Sequence, residues 1–245
     1  MLFEPEELAS GVATLRGRRA KHIAEVHRVV AGDALVVGEL NGRIGTGTVR
    51  AVSSDEVVLE AHFNREPPPP LGIDLLLALP RPKILRRVLA AATSMGVKRI
   101  VLVNGQRVER SYFQSPLLER DAIREALVLG LEQGCDTVLP EVLLKRGFKP
   151  FVEDQLATLW PEGAHKLLPH PTATQVIRDC DFGTPREPAV IALGPEGGWI
   201  PYEVEKLQAA GFQAFSLGPR ILRVDTAVPA VLAQVALLRD VRVGT

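Results

Sequence analysis

Three short stretches of this 245-residue chain carry residue types that could hold a ligand and act on it. The first is Gly194-Pro195-Glu196-Gly197-Gly198, which directly follows the apolar run 189–193. Adjacent glycines let a backbone come close to a ligand or adopt a positive φ, and Pro201 suits the first position of a helix just beyond. The stretch reads equally well as a ligand loop or as a tight strand-to-helix turn. It is neither the GxGxxG of a dinucleotide fold nor the GxxxxGK[ST] of a phosphate loop. The second stretch runs Leu217-Gly218-Pro219-Arg220-Ile221-Leu222-Arg223-Val224-Asp225-Thr226-Ala227, with Asp225 or Thr226 as a plausible helix cap. Two arginines in a loop at a strand end can hold an anion or a planar base; a surface salt bridge is the plainer reading. The third, Pro169-His170-Pro171, reads by itself as a rigid turn.

These stretches need a scaffold, and the residues around them predict one. After Gly72 the chain has an apolar run at 73–79, as in a strand buried on both faces. Helices are expected at 83–95, 116–133 (stopped by Gly134), 151–160, 201–210 and 226–239. Strands are expected at 99–103, 138–144, 165–168, 189–193 and 213–217. Alternating strands and helices predict an α/β domain with a parallel sheet covered on both faces. In such a sheet ligands bind beyond the carboxyl ends of the strands, which is where all three stretches fall. Residues 1–66 read differently, as a small β-rich barrel: a turn at Gly32-Asp33, strands at 34–37, 42–52 and 56–63, and one helix at 20–30. Four consecutive prolines, Pro67 to Pro70, favour a stiff spacer, so the expected organisation is 1–66, a linker at 67–71, and 72–245.

Composition is that of a globular protein, with 46% hydrophobic and 24% charged residues. No run approaches the length of a membrane span, and the acidic start Met1-Leu2-Phe3-Glu4-Pro5-Glu6-Glu7 does not read as a signal peptide; a cytoplasmic protein is expected. Cys135 and Cys180 lack zinc-ligand spacing and read as buried small hydrophobes. His22, His27, His62, His165 and His170 show no metal-ligand pattern, so no metal is expected. Net charge is zero, yet the window 81–110 holds eight basic residues and one acid, Glu109. Such local clusters neutralise phosphates, or else form solvated faces. The candidate nucleic-acid contacts are Arg81, Lys83, Arg86 and Arg87 from that window and Arg16, Arg18, Arg19 and Lys21 near the start.

Taken together, the ordered pair of motifs at 193–198 and 217–227 resembles the ribosomal RNA small subunit methyltransferase E family, which is of the SPOUT class. Residues 1–66 look like its PUA-like barrel, while Met95-Gly96-Val97 and Glu109-Arg110-Ser111 resemble the segment that opens its catalytic domain. The resemblance implies a C-terminal trefoil knot, a homodimer with the active site near the subunit interface, and S-adenosylmethionine bound in a bent shape among the three loops. By position it places Leu193, Gly194, Glu196, Gly197, Gly198, Leu217, Gly218, Ile221 and Leu222 near the cofactor, with His170 and Pro171 in the first knot loop. The implied reaction is methylation of N3 of a uridine in 16S ribosomal RNA, with the small subunit as partner. Departures from the family pattern are Asp225 in place of Glu, Trp199-Ile200-Pro201, the segment 129–137, and Arg81-Pro82-Lys83, as in a divergent branch. Rival readings are a SPOUT enzyme acting on transfer RNA or 23S ribosomal RNA, and a non-catalytic RNA-binding assembly factor.

The chemistry needs a group that takes the N3 proton and cations for the charge that spreads onto the uracil oxygens. Glu196 or Asp225 is the candidate base; Arg110, Arg220 or Arg223 is expected to contact the uracil or its phosphate. The target base is expected to turn out of its stack to reach the methyl group.

Overall fold

A computed structural model describes residues 1–23, 29–53 and 56–243. The chain forms two compact units, Met1–Pro68 with Leu131–Leu139, and Pro69–Gly130 with Pro140–Thr245.

The first unit is a six-stranded, barrel-like sheet in the order β1-β4-β5-β6-β3-β2. Its strands are β1 (Leu2–Phe3), β2 (Leu8–Ala9), β3 (Val12–Arg16), β4 (Ala34–Glu39), β5 (Ile44–Val52) and β6 (Glu56–Arg65). Alternation selects the core: in β3, Ala13 and Leu15 point inward, meeting Phe3, Val37, Val49, Val57 and Leu59. Gly45 allows β5 to lie against β6, since a Cβ there would fall 1.9 Å from the carbonyl oxygen of His62. The helix expected at 20–30 begins earlier, as α1 (Gly17–His22); residues 24–28 lie outside the described residues. Strands β1, β2 and β3 were not expected from the pattern.

Leu131–Leu139 joins this unit through hydrogen bonds that composition does not announce. Asn41 donates its N–H to the Thr137 carbonyl at 2.8 Å and accepts the Leu139 N–H on its side chain at 3.0 Å. Here Cys135 is exposed, not buried as expected. Its φ of 51° makes it the left-handed residue that ends the preceding helix, and Asp136 N–H closes the motif on the Leu131 carbonyl at 3.0 Å. That turn directs its side chain outward. Cys180 is buried, as expected.

The second unit is a wholly parallel sheet in the order β12-β10-β11-β7-β8-β9. Its strands are β7 (Ile73–Ala78), β8 (Arg99–Val103), β9 (Glu141–Lys145), β10 (His165–Pro169), β11 (Ala189–Leu193) and β12 (Gln213–Phe215). Every residue of β11 is buried, as a strand covered on both faces requires. Helices are α2 (Pro82–Ser94), α3 (Arg120–Gly134), the short α4 (Phe148–Pro150) and α5 (Leu156–Leu159), α6 (Pro201–Ala209) and α7 (Val224–Val243). On α2 the residues Leu85, Val88, Leu89 and Ala92 recur at helical spacing and are buried; α2 and α7 pack together. This is the expected α/β, SPOUT-like sheet.

Several boundaries differ from the sequence expectation: the strand expected at 138–144 runs Glu141–Lys145, and the one expected at 213–217 ends at Phe215. The helix expected from 116 starts at Arg120, because the chain before it folds into two 3-10 turns, Arg110–Gln114 and Pro116–Leu118, with Ser115 Oγ accepting the Leu117 N–H at 3.2 Å. The segment expected as one helix at 151–160 is broken: a π turn, Phe151–Gln155, separates α4 from α5. Helix α7 starts at Val224, so Asp225 and Thr226 lie inside its first turn and neither is its cap.

Candidate active site beyond the ends of three parallel strands

Each of the three stretches leaves the carboxyl end of one of three neighbouring strands, β12, β10 and β11. They line one cavity of about 220 Å³, together with Val224 and Ala227 of α7. Every residue expected near the cofactor is in that wall: His170 and Pro171 from the first loop, Leu193 through Gly198 from the second, Leu217, Gly218, Ile221 and Leu222 from the third.

Local chemistry explains the loop shapes. Gly198 has φ +71° and donates its N–H to the Pro195 carbonyl at 2.7 Å, closing a turn that an L side chain would strain. A Cβ on Gly194 would fall 2.8 Å from the Trp199 nitrogen, so the chain doubles back only with glycine there. Beyond the turn, Trp199 is buried against Phe148, with ring centroids 5.5 Å apart. Glu203 is buried in the first turn of α6, where Oε2 accepts the Ile200 N–H at 3.0 Å and Oε1 accepts the Gln106 N–H at 2.7 Å. Arg107 donates to the Gly197 carbonyl. His170 donates its N–H to the Phe215 carbonyl at 2.8 Å, and Nδ1 lies 2.9 Å from Thr172 Oγ1. Burial lowers the His170 pKa below its usual value, so the ring is neutral at pH 7.

The wall is backbone and apolar side chain, with Glu196, Arg220 and the neutral His170 as its polar members. Cβ atoms built on Gly198 and Gly218 would meet nothing within 4 Å, so backbone is open to a ligand at both. Such a cradle suits a flat heterocycle and an aliphatic sulfonium chain, as in S-adenosylmethionine.

A second cavity, of about 890 Å³, shares Pro195, Glu196, Ile221, Leu222 and Val224 with the first. Its other lining residues include Arg81, Lys83, Arg87, Tyr112, Arg223 and Asp225. Asp225 lies 3.6 Å from Arg87 and 3.4 Å from Arg223 Nε, and its Oδ1 is buried without a formed hydrogen bond, so charge holds the group. Arg81 donates its backbone N–H to Glu196 Oε1 at 3.0 Å.

The structure thus brings together Arg220, Arg223, Glu196 and Asp225, but Arg110 lines neither cavity; it opens the turn that carries Tyr112. Of the expected RNA contacts, Arg16 pairs with Glu56 at 2.9 Å, Arg19 with Glu7 at 2.7 Å and Arg86 with Glu125 at 3.3 Å. Lys21 and Lys83 are exposed, and the Arg18 side chain is outside the described residues. Sequence reasoning missed Tyr112, Arg107, Trp199 and Glu203. Only Glu203 carried a signal, an acid at the third position of a helix opened by proline. Among the described residues no cluster of His, Cys, Asp or Glu is placed to hold a metal ion, and no helix is long and apolar enough to cross a membrane.

A parallel sheet with glycine-rich loops converging on one pocket defines a class, and the RNA methyltransferase domain family matches residues 67–236. The chain is 33% identical over 241 residues to ribosomal RNA small subunit methyltransferase E of Treponema pallidum, covering 96% of this chain and 89% of that one. It is 26% identical to the protein of the same name in Synechocystis, covering 98% and 78%. In structure it is similar to ribosomal RNA small subunit methyltransferase E from Neisseria gonorrhoeae bound to S-adenosyl methionine, with TM-score 0.74, 24% identity and 97% of each chain covered. The chain belongs to the ribosomal RNA small subunit methyltransferase E family.

Proposed function

We propose that the protein transfers a methyl group from S-adenosylmethionine to N3 of a uridine in 16S ribosomal RNA, acting as a cytoplasmic homodimer on the small subunit. The observation that carries this is the shared wall: Pro195-Glu196 and Ile221-Leu222 stand between a neutral, backbone-lined cradle and a basic cavity. The names of the relatives and the ligand of the Neisseria gonorrhoeae structure support the same reading.

When bound, S-adenosylmethionine supplies a methyl group activated by a sulfonium. The loops at 169–171, 194–199 and 217–222 hold that donor and exclude water, which places most of the catalysis in positioning. Glu196 is the base for the N3 proton, because it alone among the candidate bases lines both cavities. The Arg81 N–H fixes one of its oxygens. Asp225 plays a different part, since it sits between Arg87 and Arg223 and orients their guanidinium groups. Arg223, with Arg220 across the shared wall, stabilises the charge on the uracil oxygens. Arg81, Lys83 and Arg87 meet the phosphates of the RNA, and Arg110 extends that grip. Leu237 and Val241 on α7 are 64% and 57% exposed, apolar surface that a second subunit would cover.

The experiment that decides this is incorporation of labelled methyl groups into isolated small subunits, large subunits and transfer RNA. Label confined to the small subunit supports the assignment; label in either of the others alone overturns it.

A further inference from the structure

We propose that the ring of Tyr112 is the stacking platform for the target base in the basic cavity, an inference that rests on the methyl-transfer function above. Tyr112 is the single aromatic residue among the described residues lining that cavity, which is otherwise charged or aliphatic. Four cations, Arg81, Lys83, Arg87 and Arg223, face two carboxylates, Glu196 and Asp225, so the cavity attracts an anionic ligand. A nucleotide turned out of folded RNA brings both a phosphate and an unstacked base, and enzymes of this kind replace the lost stacking with aromatic side chains.

The ring is held in place before any RNA arrives. Its hydroxyl donates to Glu109 Oε1 at 2.9 Å and lies beside the Arg81 guanidinium. Burial and the bond to Glu109 raise the phenol pKa, so the group stays protonated and keeps that bond at neutral pH. Arg81 in turn gives its backbone N–H to Glu196, the residue common to both cavities. Arg81 therefore stands between the Tyr112 hydroxyl and the proposed base. An aromatic fixed in this way costs little ordering entropy when a base settles on it. The bond to Glu109 sets the ring; the ring binds the base.

The experiment compares wild type, Tyr112→Phe, Tyr112→Leu and Tyr112→Ala for RNA KM, kcat and S-adenosylmethionine affinity, using unmethylated small subunits as substrate. Stacking on one base predicts that Ala and Leu raise the RNA KM about fivefold to a hundredfold, that Phe, which keeps the ring but loses the bond to Glu109, raises it less than Leu does, and that cofactor affinity is unchanged in all three. Leu fills most of the ring's volume, so it reports on stacking where Ala unfolds the turn. Phe falling as far as Leu would show that the hydroxyl network matters and the ring does not, and would overturn the inference. So would a Leu variant with wild-type KM. A wild-type protein that methylates no uridine in small subunits overturns the function itself, and this inference with it.

Discussion

The backbone N–H of Arg81 donates to Oε1 of Glu196 at 3.0 Å, joining positions 115 residues apart in the sequence. One residue opens α2 and the other sits in the glycine-rich loop after β11. The bond places the proposed base at the border of the two cavities, and it is a bond that an amide oxygen can also accept.

Glu196→Gln therefore separates placement from proton transfer. The amide keeps an acceptor for Arg81 but is no base. At saturating cofactor kcat is expected to fall about 10²- to 10⁴-fold, with the melting temperature unchanged. A variant with wild-type kcat would remove Glu196 from the chemistry.

Arg223 lines the basic cavity and is absent from the wall of the cradle. Arg223→Ala should lower single-turnover methyl transfer about 10²- to 10³-fold, the size of effect expected on losing one preorganised donor. Calorimetric affinity for S-adenosylmethionine should not move. Undiminished transfer would contradict the role.

His170 gives a pH dependence whose sign follows from burial. Its folded pKa lies below the reference value of 6.5. The stability linked to the neutral ring is thus complete above pH 6.5 and is lost as pH falls through the depressed folded pKa. Protonation there also sets a positive charge beside a ligand that carries a sulfonium. The dissociation constant should be flat above neutral pH and rise about fivefold in acid, from roughly 1 kcal/mol of repulsion at contact distance in water. Titration calorimetry on His170→Gln should show a flatter profile; an unaltered profile assigns the effect elsewhere.

Much of this arrangement was legible before the fold. The run at 73–79 and the all-buried β11 announce a parallel sheet because strands covered on both faces need no polar alternation. The loop glycines are legible because Gly194 has no room for a Cβ and Gly198 takes a positive φ that favours glycine. What stayed hidden depends on long-range pairing. Strands β1 and β2 have two residues each, too few for a period. The bonds that draw Leu131–Leu139 into the first unit join the Asn41 N–H and side-chain oxygen to backbone groups of Thr137 and Leu139, far away along the chain, and leave no mark in the local pattern. Cys135 looked apolar by type, but its exposure follows from a left-handed φ set by the end of α3. Tyr112 gains meaning only once Arg81 and Glu109 are beside it.

Glu203 tests the packing beneath the site. Glu203→Ala leaves the N–H groups of Ile200 and Gln106 without their carboxylate. Each orphaned group costs about 1–3 kcal/mol, so thermal unfolding should drop on the order of 10 °C. Cofactor affinity should fall as well, because the 194–199 loop loses its anchor. An unchanged melting temperature would show that water replaces the carboxylate without cost.

The central claim is the identity of the product. Unmethylated small ribosomal subunits incubated with the protein and S-adenosylmethionine, then digested to nucleosides and read by mass spectrometry, should show 3-methyluridine and no other new methylated nucleoside. A methyl group on a different base or on ribose, or no transfer to subunits by a protein that binds the cofactor, would contradict the account.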